Sequence, residues 1–210
     1  MNRKEKIKAH QDMSKEILNK ETDIAEEINV QINNFYKEKK ENRNWNELFT
    51  TIKDLMYISL KQSYKTTLQD LNDIYNVGFV IPNRISNKEI DKYTYKKDKK
   101  SLSKRINEHL ENAEKEQTSK DTLKFYMIRL LDNEVLVVSH KLAKKKMREK
   151  GYEYGTIITG KGCKRECCNV DIEEPIPLDL IEDEPPYHPN CTCEIIFEEE
   201  SEELPEKKKK

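Results

Sequence analysis

All five cysteines of the 210-residue chain fall in one stretch near its end: Cys163, Cys167 and Cys168, then Cys191 and Cys193, with His188 just before the second pair. Thiolate sulfur and imidazole nitrogen are the ligands that Zn²⁺ takes in structural sites, and two ligand clusters joined by a loop can close on one tetrahedral ion. Six candidate side chains compete for four places. Cys163, Cys167, His188 and Cys191 are the preferred set, with Cys168 and Cys193 as substitutes, and the expected cofactor is one structural Zn²⁺. The alternatives are small thiols packed in a core, or a disulfide in oxidising surroundings. An odd cysteine count speaks against a framework made of disulfides alone.

Such ligands need elements on both sides to hold them. Tyr152 to Thr159 is rich in β-branched and aromatic residues and reads as a strand, and Ile195-Ile196-Phe197 is the short partner that would tie both ends of the cysteine window together. Four of the five glycines lie between Gly151 and Gly162, and six of the seven prolines lie at or after Pro175. The first 150 residues therefore hold few strong breakers, and helix should dominate there.

Ile17, Ile24, Ile28, Ile32 and Phe35 recur at intervals of seven, four, four and three, one face of a helix from about Asp12 to Lys40. Asn44 followed by Glu47 has the form of a capping box. Behind it Leu48, Ile52, Leu55, Leu60, Tyr64, Leu68, Leu71 and Tyr75 carry a stripe toward Gly78. Helix resumes with Leu102, Ile106, Leu110 and Ala113, then with Leu123 to Leu131. After Asp132-Asn133 a last helix bears Val135, Val138, Leu142 and Ala143. It ends in Lys144, Lys145, Lys146, Arg148 and Lys150 before Gly151, where cations meet unpaired carbonyls and glycine supplies a left-handed residue.

The fold class is accordingly α+β, with long helices over the N-terminal two thirds and a small C-terminal α/β zinc-type domain. The expected organisation is a long helical hairpin at 1–82, a linker at 83–100, a helical segment at 101–150, a cysteine/histidine metal-type domain at 151–197 and a charged flexible tail at 198–210. Only 35% of the chain is hydrophobic and 38% is charged, so its apolar residues are expected in narrow helical stripes that associate with a partner.

No apolar run approaches bilayer length, and Met1 to His10 lacks the pattern of a signal peptide. The expectation is a cytoplasmic protein without a membrane partner, in which the sequon at Asn190 is a chance match. The net charge of -1 hides an asymmetry. Residues 1–165 carry 35 lysines and arginines against 25 acids, whereas residues 166–206 carry 15 acids and no lysine or arginine. The basic body could make weak, sequence-indifferent contact with DNA, which the acidic window would repel.

Read as one unit, Val138 to Phe197 runs from a helix with Lys141, Ala143 and Lys144 through Gly151-Tyr152, a strand, a cysteine cluster and an acidic loop. It closes on Pro185-Pro186-Tyr187-His188-Pro189-Asn190-Cys191-Thr192-Cys193. This resembles the C-terminal region of phage head morphogenesis proteins, the Mu-F-like minor head protein family, whose hallmark is a cysteine pair followed by Pro-Pro-x-His-Pro-x-Cys-x-Cys. The chain departs from that pattern in the spacing of Cys163, Cys167 and Cys168 and in having Thr192 where the family commonly has arginine. The resemblance covers about the last third of the chain. It implies a minor capsid protein present in few copies inside the phage head, in the host cytoplasm during assembly, with portal or capsid proteins as partners.

Enzyme readings lack their anchors. The chain contains no Gly-x-Ser-x-Gly elbow, no phosphate loop and no His-Glu-x-x-His helix, so no catalytic residue is assigned. The family has been likened in fold to ADP-ribosyltransferases, which makes such an enzyme one alternative, with Glu194 and the acids after Phe197 as candidates by proximity only. A glutamate-rich, solvated tail is the simpler expectation for them. A zinc-bearing nucleic-acid-binding regulator is the other alternative.

Overall fold

The computed structural model describes residues 1–95, 100–159, 175–181, 185–186, 191 and 193–199. The protein is mostly helical, with a small antiparallel sheet of three strands near the C-terminus. Six α-helices come first: α1 (Arg3–Lys20), α2 (Thr22–Lys37), α3 (Trp45–Tyr75), α4 (Asn87–Ile90), α5 (Leu102–Lys115) and α6 (Lys120–Glu149). The strands β1 (Tyr154–Ile158), β2 (Ile176–Pro177) and β3 (Glu194–Glu198) follow in the spatial order β2-β1-β3.

The capping residues act as their types require. Asn44 opens α3 by accepting the backbone N–H of Glu47 at 3.2 Å, and Ser101 and Ser119 cap α5 and α6 in the same way. Helix α3 stops at Tyr75 because Asn76 turns left-handed at φ 54°; Gly151, at φ 88°, follows the end of α6.

Two helical boundaries differ from the sequence pattern. The stripe expected from Asp12 to Lys40 begins earlier, at Arg3, and is broken at Glu21, where the backbone N–H turns back to Leu18 O at 3.2 Å. No proline or glycine marks this break; it keeps Ile17 and Ile28, on either side of it, fully in the core. Conversely, Asp132-Asn133 interrupts nothing. Each costs a helix interior only about 0.6 kcal/mol relative to alanine, and the unbroken burial of Leu123, Met127, Leu131, Val135, Val138 and Leu142 outweighs that.

Contacts along the helices fix their directions. His10 meets Tyr75, Lys20 reaches Thr66 and Phe35 meets Trp45 edge to face with ring centroids 4.5 Å apart, so α1 and α2 run antiparallel to α3. Helix α6 runs parallel to α3. Ser63 Oγ donates to Val135 O at 3.2 Å, and one turn further on the hydroxyls of Thr67 and Ser139 meet at 2.9 Å. Small residues at this seam let the two long helices approach closely while their buried hydroxyls stay bonded. Within 83–100, Ile90 and Tyr93 are buried in the helical core, so the described part of that segment is anchored. Arg105 clamps it by bonding both Glu134 Oε1 and Tyr95 O.

The second core lies where α6 ends. Strand β1 pairs with β3 from Tyr154↔Glu198 to Ile158↔Glu194, as the apolar runs on either side of the cysteine window suggest. Gly155 is required here: a Cβ would stand 2.6 Å from Leu178 Cδ2 and 3.1 Å from Ile195 Cγ2. Leu71, Ala143, Met147, Tyr152, Ile157, Leu178, Ile195 and Phe197 pack together, and Cys191 and Cys193 belong to the same cluster. No helix among the described residues is long and apolar enough to cross a membrane.

Candidate functional site

Of the preferred metal ligands, Cys163, Cys167 and His188 lie outside the described residues, as does the substitute Cys168. Cys191 and the substitute Cys193 are described. Both are fully buried, immediately before β3, among the apolar side chains that join α6 to the sheet. Thiols in that position could present sulfur to an ion at the edge of the core or simply fill it.

Beside them is a polar cluster that the sequence pattern did not single out. Strand β3 starts with Glu194, 2% exposed, and helix α6 brings His140, 3% exposed, against it: His140 Nε2 is 2.9 Å from Glu194 Oε2. The other ring nitrogen, Nδ1, lies 2.7 Å from Pro185 O. Both ring nitrogens of His140 thus face an oxygen partner inside the protein, the Pro185 carbonyl on one side and the Glu194 carboxyl group on the other. Burial pulls the His140 pKa down, but the Glu194 charge, its hydrogen bond and the Pro185 carbonyl together raise it. Glu194 also accepts from the Ser14 hydroxyl of α1. One buried carboxylate thus ties α1, α6 and β3 together.

A second histidine sits alongside in a different state. His10 on α1, 1% exposed, has Nε2 at 2.8 Å from the Tyr75 hydroxyl, whose oxygen accepts Phe197 N–H at 2.9 Å. With the hydroxyl proton directed at the ring, His10 Nε2 is the acceptor and the imidazole is neutral. Burial pushes its pKa down to about 4, against the pull of Glu194 and with the help of His140 and Lys6.

This arrangement is a lock and lacks the geometry of a nucleophilic triad. Ser14 donates to the carboxylate and not to an imidazole, and all three side chains are spent on one another inside the protein. Glu194 is correspondingly not part of a solvated glutamate-rich tail. It opens a strand whose first four residues are buried, because α1 and α6 cover this edge strand. The signal for His140 lay in its setting: it closes the run Val135-Leu136-Val137-Val138-Ser139-His140, every member of which is buried. Nothing in the sequence marks Ser14 or His10, which stand on a mostly polar helix.

Compared with known proteins, the chain matches no family model, no curated protein and no solved structure.

Proposed function

We propose that this chain is a minor head protein of a phage or prophage that takes part in capsid assembly near the portal through protein–protein contacts. The observation that carries the reading is the string from Pro185 to Cys193 after an upstream cysteine cluster, the pattern that resembles the Mu-F-like family. Further support comes from the way the described parts of that string are held: Pro185 O by His140, and Cys191 and Cys193 inside the second core. A structural Zn²⁺ on Cys163, Cys167, His188 and Cys191 would staple the same window.

The burial of Glu194 favours binding over turnover. An ADP-ribosyl transfer would need a strand-borne glutamate open to its substrate, whereas this one is turned into the core. Exposed Ile58 on α3 and Phe125 and Tyr126 on α6 supply apolar surface of the kind an assembly partner covers. Deleting the gene from its phage should yield heads that fail to assemble or to infect; undiminished titres of infectious particles would overturn the proposal.

A further inference from the structure

Helices α3 and α6 run parallel, so their first residues, Trp45 and Lys120, reach the same end of the bundle, beside the last turns of α2 and α5. These ends enclose a cleft of about 460 Å³ whose walls include Tyr36, Lys40, Arg43, Trp45, Gln117 and Lys120. Two helix starts and two helix ends meet there, and their dipoles offset one another. The field in the cleft is therefore that of its side chains. Lys40 and Lys120 have neither an ion pair nor a hydrogen bond among the described residues, and Arg43 has no carboxylate partner there. One acid, the exposed and likewise unpaired Glu114, also lines the cleft, which leaves three positive charges against one negative.

Bonds within the protein hold the wall in shape. Arg43 donates through Nη2 to Tyr36 O at 3.1 Å and through Nε to Glu38 O at 3.3 Å, and its guanidinium lies 4.6 Å from the centre of the Tyr36 ring. Its Nη1 has no hydrogen bond among the described residues. The Tyr36 hydroxyl donates to Thr118 O at 2.8 Å, which ties α2 to the connection between α5 and α6. Trp45, half-buried, packs edge to face on Phe35.

Gln117 is a separate sign of use. It is the first residue past the C-cap of α5 and turns left-handed at φ 50°, where the Thr118 N–H closes the turn on Ala113 O at 3.0 Å. Glycine is the residue this position favours, since a side chain at positive φ is strained. Strain of that kind gathers at ligand sites, and the residue that bears it here lines the cleft.

We propose that this cleft binds a phosphomonoester joined to a planar ring, the chemistry of a nucleoside monophosphate. Lys40, Lys120 and the Nη1 group of Arg43 meet the phosphate through charge-assisted hydrogen bonds, and Trp45 and Tyr36 give the ring aromatic walls. Gln117 adds an amide that both donates and accepts. The surplus of two positive charges matches one such dianion. The cleft lies roughly 45 Å along α6 from the sheet, and the site stands or falls separately from the assembly role.

Trp45 is the one tryptophan of the chain, so the intrinsic fluorescence of the full-length protein reports on the cleft. Adenosine monophosphate should change it saturably at low salt, with adenosine or inorganic phosphate alone binding at least about tenfold more weakly. Lys40→Gln with Lys120→Gln should weaken binding of the monophosphate by about tenfold or more, and Lys146→Gln, toward the other end of α6, should leave it unchanged. Gln117→Gly separates binding from folding: it should raise the melting temperature by about 2–4 °C while weakening binding several-fold. The proposal is overturned if the monophosphate gives no saturable change, if adenosine or phosphate alone binds as tightly, or if the double lysine variant keeps the parent affinity.

Discussion

His140 and Glu194, 54 residues apart in sequence, face each other at 2.9 Å inside the protein, and the hydroxyl of Ser14 closes the carboxylate from the far side. A buried pair of this kind adds little net stability over an apolar replacement, but removing one partner leaves the other charge unpaired. Glu194→Ala is therefore expected to cost roughly 3–5 kcal/mol. Glu199→Ala, in the exposed residue just after β3, should change stability by no more than about 0.5 kcal/mol. Urea unfolding of the two variants measures the contrast, and equal effects would remove the lock from the account.

The pH dependence on the acid side should belong to His10. Its folded-state pKa, about 4, lies below the ordinary 6.5, so the unfolded chain takes up a proton first as pH falls. Stability is then full above pH 6.5 and declines toward pH 4, by about 3 kcal/mol at most. Gln can still accept from the Tyr75 hydroxyl without titrating. His10→Gln should flatten this limb in a series of melting curves, whereas an unchanged limb would assign it elsewhere.

Glu21 works in the opposite direction. At the break between α1 and α2 it is 2% exposed, and its Oε2 meets no hydrogen-bond donor among the described residues. Burial, reinforced by Asp132 on α6, pushes its pKa up to about 8 from 4.5. The unfolded state loses this proton first as pH rises, so stability falls between pH 4.5 and 8, by on the order of 3 kcal/mol at pH 7. Glu21→Gln is expected to match the parent near pH 4 and to melt at a clearly higher temperature at pH 7. A variant no more stable at pH 7 than at pH 4, relative to the parent, would contradict this.

What the sequence made legible follows the physics of periodicity. The stripe from Leu48 to Leu71 and the Asn44 cap define α3 because apolar spacing and capping are local. The strand character of the Tyr152–Thr159 and Ile195–Phe197 runs was legible for the same reason, and the two runs do pair. The break at Glu21 was not, since Ile17 and Ile24 keep helical spacing across it and only tertiary packing selects the kink. Of the Ser14–Glu194–His140 cluster only Glu194 stood out in the sequence, and its partners were not legible because they are polar, lie on separate elements and meet it only after folding. A glutamate ahead of an acidic run looks solvated until the helices covering β3 are in place.

Metal content gives a separate measurement. Purified, reduced protein is expected to hold about one Zn²⁺ per chain, because metal bound by clustered thiolates contributes to folding directly. Chelation, or Cys191→Ser, should lower the melting temperature of the sheet and its surroundings and leave α2, α3 and α5 largely intact. Metal-free protein whose stability ignores chelator would remove zinc from the account and leave Cys191 as a packed thiol.

Quantitative mass spectrometry of purified, nuclease-treated phage heads tests the assembly role most directly. The protein should be found inside the particles in far fewer copies than the major capsid subunit, and it should persist when the outer surface is digested with protease. Heads that are complete and infectious yet contain none of it would contradict the role proposed here.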